Sequence, residues 1–188
     1  IVYLPNFLSW VILATVVVNI FSYEGPINAV LEMLGIEPIL FMASNKWFRS
    51  VLIVTDVWKG FGYGAIIYLA ALSGIDPGLY EAAAIDGANR FKRVWHITLP
   101  GILPTIMLVT IMNLPNVLNA GFDQIFNLYN PLVMETADII DTWVYRVGLV
   151  ERQYSLGTAV GLLRSIVGII LMLSANKIAQ KVTDYRIF

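Results

Sequence analysis

The chain has 188 residues, 58% of them hydrophobic and only 13% charged, with a mean hydropathy of +0.74. A soluble domain carries about 25% charged residues, so this surface must face lipid over much of its area. The net charge of −1, from 12 Lys and Arg against 13 Asp and Glu, excludes the basic stripe of a nucleic-acid binder. Zero cysteines and one histidine exclude disulfides, thiolate chemistry and a histidine-based metal cluster. The sequence opens on Ile1 rather than Met and shows no signal peptide, so it reads as the interior and C-terminal part of a longer membrane protein.

A helix needs about 20 mostly apolar residues to cross about 30 Å of hydrocarbon. Four stretches meet that need, residues 7–23, 51–72, 102–118 and 158–176, and they predict an all-α, polytopic transmembrane bundle. The first is almost uniformly apolar. The second carries Asp56 and Lys59, the third is interrupted by Pro104 and Pro115, and the fourth holds one charge, Arg164. Residues 24–50, with Gly25–Pro26 and Glu37–Pro38, read as a loop with short helical turns. Residues 119–157 contain Asn130–Pro131 and an amphipathic run, Thr136 to Leu149, suited to lie along a membrane surface. With four spans, Arg90, Lys92, Arg93, Lys177, Lys181 and Arg186 fall on one side, and Lys46, Arg49, Arg146 and Arg152 on the other. The dense cluster Arg90–Arg93 beside a span puts the loop 76–100 in the cytoplasm and the loops 24–50 and 119–157 outside.

The cytoplasmic loop is the most informative part of the chain. Asp76 is a natural N-cap and Pro77 suits the first helical position, where a missing N–H costs nothing. Glu81 to Ile85 favours helix, Gly87 ends the turn, a second short helix starts from Asn89, and Pro100 marks a bend back into the membrane. The small alanines of such an elbow let another protein approach the backbone, as a docking knob requires. A well-capped loop with no partner fits the same spacing.

The longer pattern separates these readings. Glu81-Ala82-Ala83, then Gly87, then Ile97, Leu99 and Pro100, with Asp86-Gly87-Ala88 and the flanking Tyr80 and Phe91, resembles the EAA signature of permease subunits of bacterial binding-protein-dependent ABC importers. The likeness is greatest to the carbohydrate type and runs from the first span to Phe188. It implies a multi-pass protein of the bacterial cytoplasmic (inner) membrane whose elbow is a coupling helix seated in a cytoplasmic ABC ATPase dimer. Glu81, Ala82, Ala83, Asp86, Gly87 and Phe91 would be the coupling residues. It also implies a second permease subunit, usually a different chain, and an extracytoplasmic solute-binding protein that hands over the substrate. The family has six core spans and this chain shows four, the two N-terminal ones being absent from it.

Ionisable groups in mid-membrane cost about 2.5–3.5 kcal/mol on insertion scales, so each needs a partner or a role. Asp56 and Lys59 are three apart and share a helical face, where they either pair with each other or line a site. Trp58, Gly60, Phe61, Gly62, Tyr63 and Gly64 mix flat apolar rings with glycines, as a groove for a sugar would. Asn113, Asn116 and Asn119 recur every three residues. Their amides match sugar hydroxyls, and equally serve as hydrogen-bonding glue between helices. The resemblance to maltose-type permeases places sugar contacts on Asp56, Lys59, Gly60 and Tyr63, and an asparagine pair on Asn116 and Asn119. Two charges where those permeases are uncharged point to a charged or differently decorated saccharide. Arg164 pairs with Asp56 or with a partner subunit, Gly157, Gly161 and Gly168 with Ser165 suit helix contact, and His96 reads as a surface residue.

No nucleophile–base pair is visible, so no catalytic residue and no cofactor is assigned. No Gly-x-x-x-x-Gly-Lys-Ser/Thr loop exists in the chain, so ATP would be hydrolysed by a separate subunit. The expected function is a permease subunit of an ATP-driven importer translocating a carbohydrate, an oligosaccharide above all. The alternatives are an ABC permease for another solute, or a secondary transporter using Asp56 as its ion or proton site.

Overall fold

A computed structural model of the chain describes residues 2–183, and these are helices and connecting turns, with no strand among the described residues. Arg186 of the charge argument lies outside them. The chain divides into two compact units, Ile1–Gly62 with Asn119–Leu163, and Tyr63–Leu118 with Arg164–Phe188. Two of the three boundaries fall inside the longest helices, Asn45–Ser73 and Tyr154–Thr183, and the third at the end of the 3-10 segment Leu114–Leu118.

Three helices among the described residues are long and apolar enough to cross a membrane: Asn45–Ser73, Arg90–Asn113 and Tyr154–Lys177. They contain the second and fourth predicted spans and residues 102–113 of the third, whose last five residues form the 3-10 segment Leu114–Leu118. The first predicted span, residues 7–23, differs. It forms an 11-residue helix, Trp10–Ile20, behind a 3-10 turn at Leu4–Phe7. At 1.5 Å per residue that helix rises about 16 Å, half of what a crossing needs. The break falls at Leu8, which is extended, and Ser9, whose hydroxyl accepts the Ile12 N–H as an N-cap. Uniform apolarity conceals it.

The first unit packs around Val17, Phe41, Phe48, Val51, Leu128 and Val133. Phe48 and Val51 lie one turn apart on the helix Asn45–Ser73, both at most 2% exposed, so one stripe of that helix is core. Full burial of such a side chain stabilises by about 1.5–3 kcal/mol. Polar side chains fasten the irregular segments to this core. Asn28, 1% exposed, donates to the carbonyls of Ser22 and Ile39 and accepts the Ile39 N–H, closing the loop that carries Gly25–Pro26 and Glu37–Pro38. Gln124 donates to the Leu52 carbonyl and to Thr55 Oγ1 at 2.7 and 2.9 Å. Asn130 donates to the Met42 carbonyl at 2.8 Å. Buried amides of this kind are costly unless paired, and here each carries part of the loop's position.

The amphipathic run expected over Thr136–Leu149 is broken in the structure into Met134–Ala137, Ile140–Val144 and a π-helical turn, Tyr145–Val150. Asp138 explains the break. Its carboxylate accepts from Thr142 Oγ1 at 2.7 Å and from the Arg146 guanidinium at 2.6 Å, so the side chain is tied to the next helix through Thr142, whose Oγ1 also accepts the Ile139 N–H at its start.

In the second unit, the helical assignment runs continuously through Pro100, from Arg90 to Asn113. It includes a π-helical turn, Val94–Thr98, in which the Leu99 N–H reaches back to the Val94 carbonyl. Pro100 has no N–H to donate. A one-residue widening of the ladder just before it keeps the helix continuous across that loss. Beyond Asn113 the chain tightens into a 3-10 segment, Leu114–Leu118, at Pro115.

Burial pushes the Asp138 carboxyl up, but the hydrogen bonds from Arg146 and Thr142 and the Arg146 charge outweigh it and hold the group below the ordinary carboxylate value. A depressed carboxyl stabilises the fold above its unfolded value of about 3.9 and loses that contribution as pH falls through the lower folded value. Asp138→Asn should therefore raise amide exchange over residues 139–146 at neutral pH. The wild type should approach the mutant's rates only below about pH 4, and equal rates at pH 7 would remove the role of Asp138 in holding this turn.

Candidate functional site

The elbow is built by local signals. The Asp76 carboxylate accepts the Gly78 N–H at 2.9 Å, Pro77 opens the helix Pro77–Ile85, and Asn89 caps the next helix by accepting the Lys92 N–H at 2.9 Å. Between them Gly87 sits at φ +75°. The Gly87 N–H bonds to the Ala84 carbonyl and the Ala88 N–H to the Ala83 carbonyl at 2.9 Å, the Schellman arrangement that satisfies the last carbonyls of a helix. A Cβ at Gly87 would meet nothing within 4 Å. The glycine is therefore required by its backbone angle, where an L side chain costs about 1–2 kcal/mol.

No residue of the helix Pro77–Ile85 is buried. Ile85 is 87% exposed and Phe91 78%, and Glu81 makes no hydrogen bond or ion pair among the described residues. Apolar side chains this exposed, beside small alanines, form a contact face. The elbow is also anchored to the long helix on its C-terminal side. Tyr80 Oη shares a hydrogen bond of 2.9 Å with Thr98 Oγ1, and Ile75 packs so tightly on Gly101 that a Cβ there would lie 2.8 Å from its Cδ1. A push on the elbow is thus delivered to the helix Arg90–Asn113.

The polar residues of the helix Asn45–Ser73 divide into two groups. Lys59 is one. Its ammonium donates to the carbonyls of Pro5 and Asn6, each at 3.3 Å, and to that of Leu8, and it lies 5.5 Å from the centre of the Trp10 ring. Three protons meet three carbonyls at the broken first segment, that of Pro5 accepting the Leu8 N–H as well, and a cation–π contact adds to them. Lys59 therefore does not pair with Asp56, and its donors are bound within the chain. Gly62 belongs to the same contact. A Cβ there would stand 2.5 Å from the Val2 carbonyl oxygen and 2.7 Å from Tyr3 Cα, so this part of the aromatic–glycine groove is filled by main chain. Gly60 and Gly64 remain open, with nothing within 4 Å.

Asp56 belongs to the other group. It lines a cleft of about 370 Å³ in the first unit together with Arg49, Asn119, Gly121 and Gln124 and the apolar side chains of Leu52, Ile53 and Ile125. The structure thus brings the expected site residues Asp56 and Asn119 into one cleft and adds Arg49 and Gln124, which sequence reasoning misses. Arg49, Asp56 and Asn119 form no hydrogen bond or ion pair among the described residues, while the Gln124 NH2 is held by Leu52 and Thr55. The cleft offers a forked cation, a carboxylate and amides beside apolar side chains, a set able to hold a hydroxylated ligand.

Tyr63, Asn113 and Asn116 lie in the second unit. Tyr63 is 52% exposed. Asn113 donates to the Val109 carbonyl at 2.9 Å and accepts from Asn116 at 3.4 Å, so these two amides partly satisfy each other. No three His, Asp or Glu come together as a metal-binding cluster among the described residues.

Removing the Lys59 ammonium leaves carbonyls unpaired, each worth about 1–3 kcal/mol when buried. Lys59→Met should therefore raise proteolysis and amide exchange over residues 2–9. Unchanged protection there would make Lys59 a ligand contact after all.

Known proteins resemble the chain over its whole length. Residues 1–184 match the family described as binding-protein-dependent transport system inner membrane component. The protein LplB of Bacillus subtilis (strain 168) is 43% identical over 188 residues, all of this chain and 59% of its own length. The polygalacturonan/rhamnogalacturonan transport system permease protein YteP of the same strain is 40% identical over the same span, again 59% of its length. Among solved structures, one of a bacterial ABC transporter involved in the import of the acidic polysaccharide alginate superposes with a TM-score of 0.93 at 41% identity, covering 97% of this chain and 64% of that one. Another, of a bacterial alginate ABC transporter in complex with alginate pentasaccharide-bound periplasmic protein, superposes with a TM-score of 0.95 at 40% identity, covering 100% of this chain and 65% of that one. The chain spans about three fifths of the relatives it matches, and with the capped elbow, the continuous helices and the family match together it belongs to the inner membrane components of binding-protein-dependent transport systems.

Proposed function

We propose that this chain is the substrate-conducting part of a permease subunit of an ATP-driven importer of oligosaccharides. The observation that carries the reading is the elbow. It is a short helix with no buried residue, closed by a left-handed glycine and hydrogen-bonded to the foot of a long apolar helix. The names of its relatives support carbohydrate as cargo, since they speak of polygalacturonan and rhamnogalacturonan, galactooligosaccharides and lactose. The alginate transporters support a saccharide that bears acid groups.

On this reading the loop 76–100 faces the cytoplasm and docks in an ATPase dimer through Glu81, Ala82, Ala83, Asp86, Gly87 and Phe91. Residues 24–50 and 119–157 face outward, toward a solute-binding protein. A second permease completes the translocation path, covering apolar surface that this chain leaves bare: only 6% of the most apolar window of the helix Tyr154–Lys177 is buried within the chain itself. The remainder meets lipid, where helices alone satisfy their own backbone. ATP binding moves the elbow, and the helices Asn45–Ser73 and Arg90–Asn113 on either side of it move with it. That motion shifts the population between outward and inward access only because the ATPase binds one state more tightly. The open polar groups Asp56 and Asn119 meet the sugar in the first unit. Gly60 in the first unit and Tyr63, Asn113 and Asn116 in the second are carried as sugar contacts by the family resemblance. The subunit itself makes and breaks no covalent bond.

Replacing Gly87 by a bulky, β-branched residue such as Val should leave the protein inserted but lower coupled uptake about tenfold or more, since about 1–2 kcal/mol of backbone strain falls on the docking element. Uptake by reconstituted complex at the wild-type rate would contradict the coupling role. Tyr63→Ala should weaken sugar-dependent transport while the ATPase still co-purifies, and loss of co-purification would make the tyrosine structural.

A further inference from the structure

We infer that Arg49 binds a carboxylate of the transported saccharide, so that the cleft of the first unit selects acidic sugars over neutral ones; this rests on the carbohydrate reading above. Arg49 lies one turn from the Asn45 end of the helix Asn45–Ser73 and lines the cleft with Asp56, Asn119 and Gln124. A guanidinium is always charged and presents a planar fork that matches a carboxylate with two parallel hydrogen bonds. In this chain that fork is open, whereas Arg146 is held by Asp138 at 2.6 Å and the Lys59 ammonium by three carbonyls.

Asp56 does not cancel it. The two residues are seven apart on one helix, about 10 Å along its axis, and no ion pair joins them. That separation leaves the two charges apart on the lining of the cleft. A sugar acid meets the guanidinium through its carboxylate. Its hydroxyls then face Asp56, which accepts hydrogen bonds, and the Asn119 amide, which gives and takes them. The Gln124 amide is oriented for the same work. With its NH2 bound to Leu52 and Thr55, its Oε1 is left beside Gly121 at the cleft wall, where an added Cβ would lie 3.6 Å away. The apolar lining residues Leu52, Ile53 and Ile125 suit the C–H face of a pyranose. A neutral sugar would leave the guanidinium desolvated against no anion, and such a mismatch discriminates more strongly than a missing apolar contact.

The test uses the complete complex of both permeases and the ATPase in nanodiscs, without the binding protein, whose own selectivity would mask that of the cleft. The probes are trisaccharides of galacturonate, mannuronate and glucuronate, each beside its methyl ester, which keeps the shape and removes the charge. The complex should bind at least one acid ten times or more tightly than its ester. Arg49→Gln should erase that difference, and Arg49→Lys, with charge but no fork, should restore part of it. Acid and ester bound alike by the wild type would overturn the role of Arg49 and leave the carbohydrate reading standing, even if the glutamine variant failed to assemble. An unchanged acid preference in an assembled Arg49→Gln complex would overturn it equally. Binding of none of the acids, of none of the esters and of no neutral galactotriose would overturn the carbohydrate reading itself.

Discussion

A main-chain carbonyl or N–H in hydrocarbon has no water to fall back on, and this constraint shapes every irregular feature of the chain. Where the sequence can keep a helix it does, over the 29 residues of Asn45–Ser73 and the 30 of Tyr154–Thr183. Where proline withholds an N–H at Pro100, the ladder widens just before it into the π-helical turn Val94–Thr98 rather than breaking. Where the first apolar segment does break, at Leu8 and Ser9, a lysine from another helix supplies the missing donors. A charge that hydropathy alone counts as a defect of the second span is the fastening of the first.

The same constraint separates scaffold from site. Asn28, Gln124, Asn130 and Lys59 have their donors matched within the chain, and they hold loops and breaks in place. Arg49, Asp56 and Asn119 do not, and they line one cleft. A polar group retained in a membrane protein without an internal partner implies an external one. Transport needs such groups to be open on the path and closed elsewhere, and the division here runs along a single helix, with Arg49 and Asp56 open to a ligand and Lys59 bound within the chain.

Legibility in the sequence tracks the range of the interactions. The elbow is readable because each of its devices acts within five residues: Asp76 on Gly78, Asn89 on Lys92, Ala83 with Ala88 around Gly87. The three long spans are readable from length and apolarity, though their ends are not. Asn45 to Ser50 continues the second span as helix because Phe48 is wholly buried, yet Asn, Lys and Arg in that stretch read as loop, and Arg49 is lost to the site with them. The partners of Lys59 are missed for the opposite reason. They lie more than fifty residues away in sequence, and spacing on one helix offers Asp56 instead. Gln124 leaves no sequence signal, because its orientation comes from Leu52 and Thr55 on another helix.

Coupling requires the elbow to be a handle on the cytoplasmic face, held by a partner. Since this chain has no cysteine, a cysteine at Ile85, which is 87% exposed, can report its surroundings in an otherwise cysteine-free complex. A membrane-impermeant maleimide should leave Ile85→Cys unmodified in intact cells, modify it in inverted vesicles made without the ATPase, and react markedly more slowly once the ATPase is present. Rapid modification from outside intact cells would contradict a cytoplasmic handle and the coupling built on it.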